Sequence, residues 1–213
     1  MITQENSLRG GVVAQGDPSK EEKMEEDIIP EGYVRVTEVL SPYTPFVNLD
    51  PDTSFARNVS NAADRGKRVH KYCEAHALGL FVEECAPECK NYVESFKKWF
   101  DEMVFHVEST EQRVNSEEYR LSGCVDLVCR IKGDDGLTLI DIKTPASASK
   151  TWQLQTAAYQ LLLGTVCSVH ISRRICLMVS KDGGKPHLVE YTEHESDATK
   201  FMHALGLHHF FRR

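Results

Sequence analysis

Two aspartates and a lysine, in Gly123-Cys124-Val125-Asp126 and Leu139-Ile140-Asp141-Ile142-Lys143-Thr144, are the residues of this chain best placed to do chemistry. Both segments are apolar and alternating, the pattern of β-strands, and Lys132-Gly133-Asp134-Asp135-Gly136 between them reads as a hairpin-like turn. Asp141 and Lys143 stand two apart on one strand, so they point to the same face. Pairing Lys132 with Leu137 sets Asp126 opposite Lys143 and diagonal to Asp141, which gathers all three side chains on one side of the hairpin. A slip of one residue would send Asp126 to the other side.

Two ionised carboxylates this close repel, and a cation between them relieves the repulsion. Hard oxygen ligands suit Mg²⁺ or Mn²⁺, one or two ions, held together with substrate phosphate. Beside such a centre the lysine can orient or help deprotonate a water and offset charge in a phosphoryl transition state. The bland alternative is an exposed strand face carrying a Lys–Asp surface pair. Downstream, Gln155 and Tyr159 are one helical turn apart and face the same way.

The elements that must position these groups follow from periodicity and punctuation. Order begins at Tyr33–Leu40 and is broken at Ser41-Pro42 and Thr44-Pro45. Helices are expected over 53–79, capped by Gly79, over 86–103, over 149–164, ending at Gly164, and over 195–210. Strands are expected near 104–114, 119–131, 137–144, 171–180 and 186–192, the last two joined by a turn at Lys181–Lys185. Helices, an antiparallel meander, a crossover helix and further strands make an α/β sandwich with a mixed central sheet.

Length and composition fit one ordinary domain over 31–213 preceded by a tail, 1–30, too polar and acidic to bury a core. The net charge of −7 is uneven: eight acids against three bases in residues 1–31 contribute −5, leaving −2 for the rest. Within that remainder Arg57, Arg65, Lys67, Arg68 and Lys71 form a basic cluster that can clamp phosphates or a DNA end, or else make a solvated helix face. Global acidity argues against a tight, non-specific DNA coater. Trp152 can stack on a base or simply pack.

The seven cysteines are scattered and odd in number, which suits reduced, mostly buried thiols. Cys85 and Cys89 form a C-x₃-C without a second pair at ligand spacing, so no zinc site or iron–sulfur cluster is expected. His203, His208, His209, Arg212 and Arg213 suit a helix C-terminus. No apolar run approaches the ~20 residues of a membrane helix. Signal-peptide and transit-peptide patterns are missing too, making the cytoplasm the expected compartment.

Taken together, Gly123–Asp126, Asp141–Lys143 and Gln155–Tyr159 resemble the PD-(D/E)XK nuclease superfamily, with its restriction-endonuclease-like core, and more closely its RecB-type, phage-like exonuclease branch. Arg65-Gly66-Lys67-Arg68-Val69-His70 resembles that branch's Arg-Gly-x-x-x-His element, and Val36-Thr37-Glu38-Val39-Leu40-Ser41 its Thr-x-x-Leu-Ser segment. The resemblance covers roughly residues 33–180. It implies His70, Asp126, Asp141 and the Ile142 carbonyl as ligands of Mg²⁺ or Mn²⁺, Lys143 as the catalytic lysine, and Gln155 and Tyr159 as residues positioning substrate or lysine.

The implied activity is metal-dependent hydrolysis of DNA from a free end, in recombination, repair or phage DNA processing. The setting would be a bacterium or a phage-infected cell, with room for a recombination or single-strand-binding partner. A junction or flap endonuclease and a non-catalytic DNA-binding accessory are the alternatives. Glu108 or Glu111, on the strand before Asp126, offers a contact to a second ion or is simply exposed, and Glu74, one turn after His70, lies no closer than a supporting position. No G-x-x-x-x-G-K-[ST] loop is present, so the chain is not itself an ATP-driven helicase–nuclease.

Overall fold

The computed structural model describes residues 29–44, 53–81, 84–144 and 148–212. The acidic tail expected over 1–30 therefore lies almost entirely outside the described residues, as do Pro45 and Arg213. Among the described residues six strands form one mixed sheet flanked by five α-helices, the α/β sandwich that periodicity predicts. The chain opens with β1 (Val34–Arg35) and α1 (Val36–Leu40), the latter followed by a 3₁₀ turn at Ser41–Tyr43. Two long helices come next, α2 (Ser54–Ala77) and α3 (Pro87–Met103). The meander is β2 (Val104–Ser116), β3 (Leu121–Ile131) and β4 (Leu137–Lys143). Helix α4 (Lys150–Val166) crosses over to β5 (Ile171–Met178), and β6 (His187–Glu190) and α5 (His194–Phe211) complete the chain.

Local chemistry explains most boundaries. Pro87 opens α3, where a missing N–H costs nothing. Cys89, Val93, Phe96 and Trp99 then recur at helical spacing and are buried. Helix α2 ends in a glycine cap: Gly79 has φ +66°, its N–H donates to His76 O, and the Leu80 N–H reaches back to Ala75 O. The expected stop at Gly164 does not occur. Helix α4 runs through that glycine to Val166, and the chain turns instead at Ser168, which takes the left-handed conformation with φ +57°. Glycine weakens a helix without obliging it to end.

Two apolar layers sandwich the sheet. Helices α1, α4 and α5 share one core with Leu121, Val125, Val128 and Leu139, whereas α2 and α3 share the other with Leu127, Cys129, Ile140 and Ile142. Residues two apart on a strand normally face the same way. Val125 and Leu127 do not, so β3 changes face at Asp126. On the paired strand Glu111 has φ +42° and stands level with Asp126, between the pairs Thr110–Leu127 and Gln112–Val125. Both strands turn over together, and the register on either side is kept.

The edge of β3 that faces β4 is shared. β1 pairs in parallel with Leu121 and Ser122, and β4 pairs antiparallel only with Leu127, Val128 and Cys129. Among the described residues no strand pairs with the edge of β3 between these two contacts. The β3–β4 register also differs from the expected one by two residues: Leu127 pairs with Ile140, which puts Asp126 level with Asp141 rather than Lys143. A shift of two preserves facing where a shift of one would have reversed it.

A buried ion pair locks α4 and α5 onto this sheet. Arg174 on β5 and Asp197 on α5 are both fully buried and meet at 2.7 Å. Arg174 also donates to Gln153 O on α4 at 3.0 Å and, through Nε, to His194 Nδ1 at 3.1 Å, while Gln153 Nε2 donates to Asp197 Oδ1 at 2.7 Å. Among the described residues no helix is long and apolar enough to cross a membrane. Asp197→Ala strands the Arg174 charge and is expected to lower stability by about 3–5 kcal/mol, read as a fall in the urea midpoint. The Arg174→Met, Asp197→Leu double variant should recover most of that loss, because no lone charge is left behind.

Candidate active site

The gap in the β3 edge is filled by the Asp126 side chain. Its Oδ2 accepts the Ile142 N–H at 2.6 Å, a bond that replaces the strand pairing β3 and β4 no longer make. From the other side α2 brings in His70, whose Nδ1 lies 3.4 Å from Asp126 Oδ1 and 3.7 Å from Glu111 Oε1. Helix α2 passes close to the end of β4 at Gly66, where a Cβ would meet Thr144 Oγ1 at 3.5 Å, an ordinary van der Waals contact. His70, Glu111 and Asp126 offer ligand atoms that all lie within 4.8 Å of one another. An imidazole and two carboxylates at that spacing suit a divalent cation.

The second half of the site lies under α4. Asp141, 1% exposed, receives Lys143 Nζ at 2.9 Å and the Cys176 thiol at 3.3 Å on Oδ2, and Gln155 Nε2 at 3.2 Å on Oδ1. Lys143 Nζ also donates to Gln155 Oε1 at 3.2 Å, and Gln155 Nε2 to the Tyr159 hydroxyl at 2.9 Å. The tyrosine ring fits because residue 123 is glycine: a Cβ there would be 3.0 Å from that ring and 2.8 Å from Leu162 Cδ1.

Burial and neighbouring charge decide the protonation of these groups. Burial alone would lower the His70 pKa, but the Asp126 charge and hydrogen bonds to Asp126 and Glu111 prevail and raise it to about 10. Burial disfavours the Asp126 anion, yet His70, Lys143 and the Ile142 N–H hold its pKa below the usual range. Burial would strip Lys143 of its proton, and the charges of Asp141 and Asp126 keep it there. For Asp141, burial and the nearby Asp126 outweigh Lys143 and push the carboxyl up. Burial also raises the Cys124 thiol, to about 12, with Glu111 adding to it.

The structure thus brings together His70, Asp126, Asp141, Lys143, Gln155 and Tyr159, in two connected groups. Asp141 is not in the three-ligand cluster; its oxygens are occupied by Lys143, Gln155 and Cys176. Glu111 takes that place, and the contact by which Glu111 joins depends on the face change at Asp126, which strand alternation does not announce. Glu108 instead pairs with exposed His106 at 3.4 Å. The Ile142 N–H, rather than its carbonyl, makes the observed contact with Asp126. Cys124 and Cys176, which sequence reasoning treated only as buried thiols, are hydrogen-bond donors to Glu111 and Asp141.

Trp152 is 9% exposed, with Lys143 Nζ 5.7 Å over its ring. That burial suits packing and leaves no face for a base. The basic cluster on α2 divides. Arg65 lies over the Tyr92 ring at 5.3 Å and Arg68 pairs with Glu88 at 2.6 Å, both tying α2 to α3. Lys67 and Lys71, four apart, are exposed on one helix face, and Arg57 is exposed near the start of α2.

The model of the PD-(D/E)XK nuclease superfamily matches residues 51–201. The chain belongs to that superfamily. No curated protein matches it in sequence. Solved structures similar to it include SSO0001, 16% identical over 84% of this chain and 78% of that one, TM-score 0.39. Another is an alkaline exonuclease from Laribacter hongkongensis, LHK-Exo, 12% identical over 85% of this chain and 92% of that one, TM-score 0.39. The complex of LHK-Exo with dAMP is 14% identical over 83% of this chain and 89% of that one, TM-score 0.35. Likenesses at this level do not bear on activity.

A raised folded-state pKa gives His70 a testable signature. Its contribution to the stability of the metal-free protein should be full below about pH 6.5 and lost as pH rises through about 10. Urea midpoints across that interval should fall more steeply for wild type than for His70→Asn; parallel curves would refute the pairing with Asp126. Gly123→Ala should lower stability by about 1–3 kcal/mol through displacement of the Tyr159 ring, seen in the same urea titration.

Proposed function

We propose that this chain is a Mg²⁺- or Mn²⁺-dependent deoxyribonuclease, an exonuclease that hydrolyses phosphodiester bonds of DNA with a free end. The observation that carries the reading is the meeting of a cation-type cluster, His70, Glu111 and Asp126, with the buried Lys143–Asp141–Gln155 group across the β3–β4 gap. The donor set fits the divalent ions that nucleases of this superfamily use. His70, Asp126 and Glu111 would hold the ion, joined by Asp141 and the Ile142 carbonyl. When bound, the cation supplies Lewis-acid neutralisation of the phosphate's charge.

The other roles belong to the chain itself. Asp141 and Asp126 favour the protonated form of Lys143, which places positive charge beside the scissile phosphate and orients the attacking water. Gln155 fixes Lys143 and Asp141 at once, and Tyr159 fixes Gln155. Trp152 seats the Lys143 ammonium against its ring face. Lys67 and Lys71, with Arg57, present positive charge to the DNA backbone, while Arg65 and Arg68 hold the helix that carries them. The requirement for a free end rests on the resemblance to the RecB-type, phage-like branch. So do a setting in recombination, repair or phage DNA processing in a bacterial or phage-infected cytoplasm, and a partner of the recombination or single-strand-binding kind. The domain assignment, a nuclease domain over 31–213 after a tail, belongs to the same reading.

The test is cleavage of end-labelled linear and covalently closed DNA, single- and double-stranded, with Mg²⁺, Mn²⁺ or EDTA. Degradation of linear DNA alone, abolished by EDTA and reduced about 100-fold or more by Lys143→Met, is the expected result. The variant's urea midpoint serves as a control for folding. Cutting of closed circles would move the assignment to an endonuclease. No cleavage under any condition, or equal cleavage by the variant, would leave a DNA-binding accessory.

A further inference from the structure

On β5, Arg174 and Cys176 stand two apart and face the same layer: Arg174 grips α4 and α5, and Cys176 reaches Asp141. Asp141 and Cys176 are direct partners across the parallel β4–β5 ladder. The thiol is fully buried and donates to Asp141 Oδ2 at 3.3 Å. The Tyr191 hydroxyl hydrogen-bonds the same sulfur. Because the sulfur's own hydrogen goes to Asp141, the tyrosine O–H is the donor in that contact. Tyr191, one residue beyond β6, is itself held to β5 by its N–H, which donates to Arg174 O at 3.0 Å. A chain of donors thus runs from Tyr191 through Cys176 to Asp141.

We propose that Cys176 and Tyr191 are positioning residues for cleavage, holding the Asp141 carboxylate in the one orientation from which it can serve Lys143. Asp141 accepts from Lys143 and Cys176 on Oδ2 and from Gln155 on Oδ1. Lys143 also faces the scissile phosphate in the reading above, and Gln155 is shared between Lys143 and Asp141. Cys176 comes from a strand paired on both sides, so the ladder sets its place. Without that thiol, Oδ2 keeps only the ammonium, and the carboxylate gains freedom to turn about its Cβ–Cγ bond. Tyr191 acts one step further out, by orienting the thiol. A hydroxyl at residue 176 keeps a donor and a methyl does not, whereas in an apolar layer the hydroxyl packs no better than the methyl. Activity therefore separates a positioning donor from a packing residue. The inference rests on the reading of Asp141 and Lys143 as part of a nuclease site.

The experiment is steady-state cleavage of end-labelled linear DNA with Mn²⁺ by the full chain, with kcat and KM separated. Wild type, Cys176→Ser, Cys176→Ala, Tyr191→Phe and Lys143→Met are compared, with urea midpoints as folding controls. Cys176→Ala should lower kcat about tenfold or more and leave KM for DNA unchanged. Cys176→Ser should bring kcat back to within about threefold of wild type, because the donor is restored. Tyr191→Phe removes one oxygen and keeps the ring, and should lower kcat about two- to tenfold at constant KM. Equal kcat in Cys176→Ser and Cys176→Ala, or a wild-type kcat in Tyr191→Phe, overturns the inference; if Lys143→Met is inactive in the same assay, the reading of the site stands. No cleavage by wild type, or undiminished cleavage by Lys143→Met, overturns the reading of the site, and the inference falls with it.

Discussion

The hydrogen bond from the Ile142 N–H to Asp126 Oδ2, 2.6 Å long, is what allows β3 and β4 to part and a reactive centre to exist between them. A buried N–H left without an acceptor costs about 1–3 kcal/mol. Where β4 stops pairing with β3 after Ile140, that cost is met by a carboxylate rather than a strand carbonyl. The substitution brings a charge into the gap, and a buried charge is tolerable only if it is paired and hydrogen-bonded. His70 from α2 supplies the pairing on one side, and Lys143 adds its field from the other. The two acids therefore carry a chain of obligations: Asp126 requires His70, Asp141 requires Lys143, and Gln155 serves Lys143 and Asp141 together.

That second obligation reaches well beyond the site. Gln155 holds Lys143 and Asp141 only if α4 keeps its rotation and height over β4 and β5. Gln153, two residues earlier on the same helix, is gripped through its carbonyl by Arg174 and through its side chain by Asp197. The fully buried Arg174–Asp197 pair is thus the anchor from which α4 presents Gln155 and Tyr159 to the sheet. A buried ion pair is weak grounds for claiming net stability, since apolar replacements often do as well. Its role here is to tie α4 to β5 and α5 at one point, since Arg174 grips the Gln153 carbonyl and Asp197 its side chain.

Much of this was legible in the sequence where local pattern controls the outcome. The long helices, the meander, the crossover helix and the Gly79 cap all follow from periodicity and punctuation. The Asp141–Lys143 pair follows from the strand period itself. What stayed hidden depends on how two strands meet. The β3–β4 turn takes up two more residues of register than the shortest pairing assumes, which moves Asp126 from Lys143 to Asp141. The joint face change at Glu111 and Asp126 is invisible to an alternating pattern, because both flanking stretches remain apolar. The charge of Arg65 and Arg68 reads equally as a phosphate clamp or a solvated helix face, whereas Tyr92 and Glu88 reach them only through the crossing of α2 and α3.

The face change also explains why the centre is divided. Asp126 sits where the strand turns over, so it belongs to both apolar layers' sides: Oδ1 meets His70 on the α2 side, and Oδ2 the backbone of β4. Glu111 and Cys124 lie with the first group, and Lys143, Gln155, Tyr159 and Cys176 with Asp141 in the second. Three carboxyl groups face two basic side chains, an imbalance that favours a further positive charge. Lys143 already occupies one oxygen of Asp141, so any cation drawn to Asp141 competes with the lysine for the same carboxylate. A lysine displaced in this way has Gln155 Oε1 as its remaining hydrogen-bond partner and the Trp152 ring beneath it. Asp141, Gln155 and Trp152 together fix the Lys143 ammonium where the two groups join, and its charge reaches Asp126 as well.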